Sequence, residues 1–480
     1  MFTVLIQTLG CKLNQLESEA VADAFSKSGF ALYKPSSGAP PSIIVINTCT
    51  VTSKADQKAR RVIRKALRDY PDSCVLVTGC YAQLNYAQLS ELDTSSHRRL
   101  FVLKGMEKDR LLNLPEFINE KAPFPVPYPP FPNSHICEAV KAWYEDGTES
   151  GGTDVFQFSP ERFSSHTRGF LKIQDGCDKH CTYCRIRLAR GHSISLNAQT
   201  ALERLRILEK NHAEAVLTGV NICQYRDGKN TANHASNLAS NLARLLEYLL
   251  SGTEKIALRL SSLAPESIDE DLAKVLSHKR IRPHFHLSIQ SGSEKVLEKM
   301  GRNYNAKTVE KAVTLLRCAK DDPFLACDII TGFPCETNLE FEETAKLCQE
   351  TDFAWIHVFP YSKRPGTPAW SFPGTVQEKE VTKRVQLLTD MARQGRADYV
   401  RRWVGREVEV LVEKGSTAKS FCAAKSFCRG VSENYLKLLV QYNGEKAPPP
   451  GSVSRCKLLE SPSTEKTVDY DAIAEMLIIS

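Results

Sequence analysis

Short apolar runs alternate with amphipathic stretches over residues 1–118. Thr3–Leu9, Ser42–Asn47 and Cys74–Thr78 are rich in apolar and β-branched residues. Each precedes a helical pattern: Asn14–Ser28, Lys54–Asp69 and Tyr86–Asp93. Strands alternating with helices predict a parallel sheet. The rhythm returns between Thr167 and Trp355, with strands expected at Gly169–Ile173, Ala215–Thr218, Ile256–Ser261, His284–Ile289, Leu325–Thr331 and Trp355–Phe359. Six such units over about 190 residues predict a partial TIM-like barrel whose working face is the C-terminal end of its strands. A helical segment follows at Glu378–Val404, and then the period falls to two. Val408, Val410 and Val412 alternate with charged residues in Arg406–Lys414, and further strands are expected at Tyr435–Tyr442 and Arg455–Glu460.

Between the two α/β regions, residues 121–135 read KAPFPVPYPPFPNSH, and EDGTESGGT follows at 145–153. Proline at this density excludes regular helix or central strand. The chain therefore divides into an α/β domain (1–118), a proline- and glycine-rich linker or insertion (119–162), a partial barrel (163–396), a small β domain (397–462) and a tail (463–480).

Hydrophobic residues make up 42% and charged residues 25%, the balance of an ordinary globular protein. The net charge of +7 permits a polyanionic partner without requiring one. No secretory pattern and no apolar run long enough to span a bilayer is visible, so a cytoplasmic location with no membrane partner is expected. In that reducing compartment the 16 cysteines point to metal binding before disulfides.

Cys177, Cys181 and Cys184 lie in GCDKHCTYC, in the loop expected at the C-terminal end of the first barrel strand. Three thiolates at this spacing can wrap one face of an iron–sulfur cubane and leave one iron open to a small molecule. The competing reading is structural zinc, which usually takes four ligands in paired CxxC elements. No paired CxxC partner occurs elsewhere. This trio ahead of a barrel resembles the radical S-adenosylmethionine (SAM) superfamily, in which SAM chelates the open iron. Tyr183 matches the aromatic residue that packs near SAM there. Asn221, Ser262 and Gln290 end or follow barrel strands, each placed either to hydrogen-bond SAM or to cap a strand or turn.

Cys11, Cys49 and Cys80 each follow a strand of the first domain, and all strand ends of a parallel sheet share one edge. Three thiols distant in sequence are expected to converge there on a second cluster. Cys74 begins its strand and belongs at the opposite edge. Lys54–Arg68 carries seven basic residues against Asp56, beginning just after Cys49, and Lys383–Arg402 adds six against two aspartates. Such faces suit phosphate contacts with RNA, or are simply solvated.

The motifs GCKLN with Glu17-Ser18, NTCTV around Cys49, TGC at Cys80, GCDKHCTYC ending in Ala189-Arg190-Gly191, and DIITGFP from Asp328 together resemble the methylthiotransferases. The final β domain resembles the TRAM module, a small RNA-binding barrel. GCKLNQLES, NTCTVTSKADQK and VTGCYAQ resemble the branch acting on N6-threonylcarbamoyladenosine of tRNA. The isopentenyladenosine branch usually opens GCQMN and the ribosomal-protein branch GCPKN.

The resemblance implies two [4Fe–4S] clusters. One, on Cys177, Cys181 and Cys184, generates a radical from SAM; the other, on Cys11, Cys49 and Cys80, supplies or presents sulfur. It further implies methylthio transfer to adenine C2 in the tRNA anticodon loop, an electron donor of flavodoxin or ferredoxin type, and a sulfur donor. Three features depart from the family pattern: Arg187-Leu188 replaces the common Pro-Tyr, Cys335 replaces the usual Gly, and Arg226–Ser240 reads as an insertion. The alternatives are methylthiolation of isopentenyladenosine or of a ribosomal-protein aspartate, and a zinc-bound RNA-binding protein that is no enzyme.

Overall fold

The computed structural model describes the chain except for residues 1, 36–38, 94–97, 122–133, 148–153, 228–238, 419–425, 443–446, 461–469 and 478–480. The first domain is a five-stranded parallel sheet of β1 (Thr3–Thr8), β2 (Ala31–Leu32), β3 (Ile43–Thr48), β4 (Cys74–Gly79) and β5 (Leu100–Val102). Their order is β2-β1-β3-β4-β5. Every residue of β3 and β4 is buried, as expected of central strands covered on both faces. Burying a side chain such as Ile44 or Ile46 contributes about 1.5–3 kcal/mol. Helix α1 (Lys12–Lys27) follows β1, and α2 (Ser53–Asp69) follows β3. α2 buries Ala59, Ile63 and Ala66 at helical spacing and is capped by Thr52, whose side chain accepts from Ala55 N at 3.1 Å. Next come α3 (Cys80–Leu84), α4 (Tyr86–Ser90), α5 (Leu114–Lys121) and α6 (Ser134–Glu145).

α6 lies in the segment read from the sequence as linker. Its Ile136, Val140 and Trp143 share a core with Phe101, Leu111 and Ile118, so the apolar spacing of this helix makes it part of the first domain. The proline-rich stretch itself lies outside the described residues.

The second domain has β6 (Gly169–Lys172), the short hairpin β7 (Gln174–Asp175) and β8 (Ile194–Ser195), then β9 (Glu214–Thr218), β10 (Ala257–Leu260), β11 (His284–Gln290), β12 (Phe324–Thr331) and β13 (Trp355–Pro360). Parallel pairing gives β10-β9-β6 and β11-β12-β13, and the bridges Leu258↔Ile281 and Leu263↔Leu287 join the two halves. The six long strands thus form one curved sheet in chain order, as the sequence predicts. The hairpin was not anticipated, because two-residue strands carry no periodicity.

The third domain is a closed barrel ordered β14-β15-β16-β18-β17, with β14 (Glu407–Ala418), β15 (Ser426–Ser432), β16 (Lys437–Tyr442), β17 (Val453–Glu460) and β18 (Ala472–Met476). Two expectations change here. Ala472–Met476 is not tail: it closes the barrel, parallel to β16 and antiparallel to β17. The Glu378–Trp403 helix runs unbroken through the boundary placed at residue 396. Its Tyr399, Val400 and Trp403 join the barrel core and also meet Phe324, Ala326 and Ala354 at the start of β12 and just before β13. The small barrel is therefore attached at the N-terminal ends of the β6–β13 strands, the end opposite their working face. Most cations of that helix are spent on carboxylates: Arg384 on Glu336 (2.7 Å), Arg393 on Asp390 (2.9 Å), Arg402 on Asp322 (3.2 Å), Arg396 on Asp471 and Arg401 on Asp398. Arg384, Arg396 and Arg402 are thereby tied to other segments, which leaves fewer cations of this helix for phosphate than its sequence suggests.

Candidate iron–sulfur and substrate site

β1, β3 and β4 are neighbours in register, Thr8 beside Asn47 and Thr48 beside Gly79, so Cys11, Cys49 and Cys80 leave one sheet edge. Side chains lash these strand ends together. Asn14 Nδ2 donates to Leu9 O (2.8 Å) and Thr48 O (3.1 Å), and Thr48 Oγ1 donates to Thr78 O at 2.5 Å. Gly10 and Gly79 adopt φ of +112° and +102°. A Cβ at Gly10 would stand 2.6 Å from Cys49 Cβ, and one at Gly79 2.3 Å from Thr48 O. Glycine before a cysteine is thus what lets neighbouring strand ends close up. Cys74 is fully buried at the other end of β4.

The second trio occupies the loop between β7 and β8, whose ladder pins its base, with Cys177 N donating to Gly191 O at 3.1 Å. A short helix, α7 (Ile186–Arg190), begins two residues after Cys184. Cys177, Cys181 and Cys184 line a cavity of about 150 Å³ with Asn221, Ser262, Ser288 and Arg302. A larger cavity of about 530 Å³ opens beside it. Cys11, Cys49 and Cys80 line it together with Cys184, Tyr183, Ser262 and Gln290. The structure therefore brings all ten sequence-predicted site residues to two adjoining spaces that share Cys184 and Ser262.

Three of the polar candidates are anchored. Tyr183 OH accepts from Arg302 Nη2 at 2.8 Å, Ser262 Oγ is 2.7 Å from His286 Nδ1, and Asn221 N donates to Gln174 Oε1 at 2.8 Å. Gln290 has φ of +71° at the end of β11, where the pairing register with β12 shifts. Such left-handed backbone is strained for a side chain and concentrates at working sites. Cys335, where glycine is usual in the resembling family, has φ of +62°. Its turn is one that glycine would enter without strain. Most of the Arg226–Ser240 insertion lies outside the described residues.

The donor sets fit iron–sulfur clusters. Each site offers three cysteines, the soft thiolate donors that such clusters take. Burial pushes the Cys49 and Cys184 thiols up to about 11. Both are protonated at neutral pH without metal, so iron uptake must release their protons.

Sequence reasoning missed the charged groups around the sites. Arg302 lines both cavities from a loop between helices, where no pattern marked it. Lys12 and Asp328 line the larger cavity. A buried ionic cluster joins the two α/β domains: Glu17 meets Lys108, Arg190 (3.0 Å) and Lys172 (3.6 Å), and Asp175 meets Arg190 (3.0 Å) and Lys172. Burial pushes the Asp175 carboxyl up, but Arg190 and the two lysines outweigh it and hold it at about 2. A second lock is Arg364, whose Nη2 donates to Asp56 Oδ2 (2.7 Å), Thr50 Oγ1 (2.7 Å) and Thr50 O (3.0 Å).

Two family models match the chain: Uncharacterized protein family UPF0004 over residues 3–98 and the Radical SAM superfamily over residues 171–348. The threonylcarbamoyladenosine tRNA methylthiotransferase MtaB of Treponema pallidum is 37% identical, over 95% of this chain and 98% of its own. The protein of that name from Thermotoga maritima is 32% identical, over 91% of each. Among solved structures, the radical S-adenosylmethionine methyltransferase TsrM of Kitasatospora setae, with cobalamin and a [4Fe-4S] cluster bound, superposes with a TM-score of 0.48 at 16% identity over 77% of each chain. With more than nine-tenths of its length matched at this identity, the chain belongs to the threonylcarbamoyladenosine tRNA methylthiotransferase family.

Proposed function

We propose that the chain is a radical SAM methylthiotransferase that modifies C2 of N6-threonylcarbamoyladenosine in the anticodon loop of tRNA. The observation that carries this reading is the larger cavity, which Cys11, Cys49 and Cys80 of the first domain line together with Cys184 of the barrel trio. Cys177, Cys181 and Cys184 hold one [4Fe–4S] cluster, and Cys11, Cys49 and Cys80 hold the other. When bound, these groups supply reductive cleavage of SAM at the first site and sulfur at the second.

The chain's own residues bind and orient. Asn221 and Ser262 border the first trio and supply polar groups for SAM. Tyr183, fixed by Arg302, walls the larger cavity, and Gln290 faces it from strained backbone. Phe359 lines the same cavity and is 40% exposed, an aromatic face on which an adenine can stack. On α2, Lys54, Lys58, Arg61 and Arg64 are exposed, with no carboxylate partner among the described residues. They offer phosphate contacts beside Cys49. The closed C-terminal barrel, TRAM-like in sequence, is a second RNA-binding element, placed to grip tRNA away from the modified base. A flavodoxin- or ferredoxin-type protein supplies electrons, a separate donor supplies sulfur, and the thiol-rich sites suit the cytoplasm.

Mass spectrometry of tRNA nucleosides from cells with and without the intact gene tests the reading. Loss of the methylthio derivative of threonylcarbamoyladenosine is expected. Loss of the isopentenyladenosine derivative instead moves the protein to the other tRNA branch, and unchanged tRNA removes the function altogether.

A further inference from the structure

α7 separates the two cysteine sites by one helical turn and a half. Two residues before its start stands Cys184; at its end stands Arg190, whose side chain crosses into the first domain. Arg190 Nε donates to Cys80 Sγ at 3.3 Å. The rest of the guanidinium is fully engaged: Nη1 donates to Glu17 Oε1 (3.0 Å) and Asp175 Oδ2 (3.0 Å), and Nη2 to Asn14 Oδ1 (2.9 Å) and Glu17 Oε2 (3.3 Å). The side chain is 5% exposed. Asn14 in turn ties the ends of β1 and β3, so one planar fork is braced against the strand ends that carry Cys11 and Cys49 while it touches the sulfur of Cys80. Lys cannot reproduce the contact, because an ammonium cannot span three directions in one plane.

We propose that Arg190 is a positioning residue for the N-terminal cluster: it hydrogen-bonds the sulfur of the Cys80 ligand and favours the one-electron-reduced state of that cluster. The inference rests on the assignment of Cys11, Cys49 and Cys80 as cluster ligands. The physical cause is direct. Reduction adds negative charge that is shared by the ligand sulfurs, and a cationic N–H donor at one of them stabilises that charge and raises the potential.

The test uses full-length protein carrying Cys177, Cys181 and Cys184→Ala, reconstituted so that iron resides only at the N-terminal trio. Arg190, Arg190→Lys and Arg190→Gln forms are titrated with dithionite and followed by electron paramagnetic resonance. Iron content is expected to stay at about four per chain in all three. The midpoint potential is expected to fall in both variants, with an altered g-tensor of the reduced cluster. Arg190→Gln leaves Glu17 and Asp175 with Lys108 and Lys172 as their only cations, and circular dichroism checks its fold. Arg190→Lys keeps the network's charge and supplies the measurement if the Gln form does not fold. An unchanged midpoint and g-tensor in Arg190→Lys overturns the role of Arg190 and leaves the two-cluster reading standing. Absence of iron from the parent triple-Ala protein overturns both.

Discussion

Cys177, Cys181 and Cys184 sit on one loop whose base is pinned by a two-residue ladder, whereas Cys11, Cys49 and Cys80 come from three loops and meet only because β1, β3 and β4 are adjacent and parallel. The first site is a property of nine consecutive residues, GCDKHCTYC. The second is a property of a sheet, and each of its cysteines needs its own device: a positive-φ glycine before Cys11 and Cys80, and a hydroxyl bridge from Thr48 beside Cys49. The comparison teaches that a local site tolerates loss of its surroundings better than a distributed one, whose ligands are only as well placed as the strand ends behind them.

The largest effect separates the sites by chemistry. Cys177, Cys181 and Cys184→Ala is expected to cut bound iron from about eight to about four per chain and abolish SAM cleavage. Persisting formation of 5′-deoxyadenosine in that protein would mean that the barrel trio is not where SAM is cleaved. Next, Cys11, Cys49 and Cys80→Ala should leave SAM cleavage within a few-fold of the parent and stop methylthio transfer, read by nucleoside mass spectrometry. If SAM cleavage disappears as well, the two sites are not separable in the way their construction implies.

The third prediction concerns the interface that holds the distributed site over the barrel. Arg364→Met leaves Asp56 and Thr50 without their buried guanidinium and is expected to cost about 3 kcal/mol in chemical denaturation. A midpoint equal to the parent's would show that the domains are held by other contacts. A smaller effect belongs to α2. Lys54, Lys58, Arg61 and Arg64→Ala should weaken tRNA binding about tenfold at moderate salt and flatten its salt dependence, with SAM cleavage in the absence of RNA retained. A salt slope identical to the parent's returns this helix to an ordinary solvated face. The smallest is Cys74→Ala: it trims a packed core position at the far end of β4, costs about 1 kcal/mol and leaves the product yield intact. Product loss matching that of the N-terminal triple variant would undo the argument from strand ends.

Much of the molecule was legible in the sequence, and for a definite reason. β3, β4, β6, β9 and β10 are contiguous buried runs, and burial is written in residue type at short range. Cys177, Cys181 and Cys184 share one loop, so their spacing alone brings them together. Parallel pairing also let the sequence anticipate that Cys11, Cys49 and Cys80 would meet, since each ends a strand.

What the tertiary structure decided are pairings between distant segments that leave no local trace. β18 was read as tail because five residues, AIAEM, become a strand only by inserting between β16 and β17. The basic helix at 378–403 looked free because Glu336, Asp322 and Asp471, which tie Arg384, Arg402 and Arg396, lie far off in the chain. Arg190 read as one basic residue after a cysteine motif. Only the docking of two domains places its guanidinium against Cys80, Glu17 and Asp175 at once, because a buried cation must find its partners wherever the fold brings them.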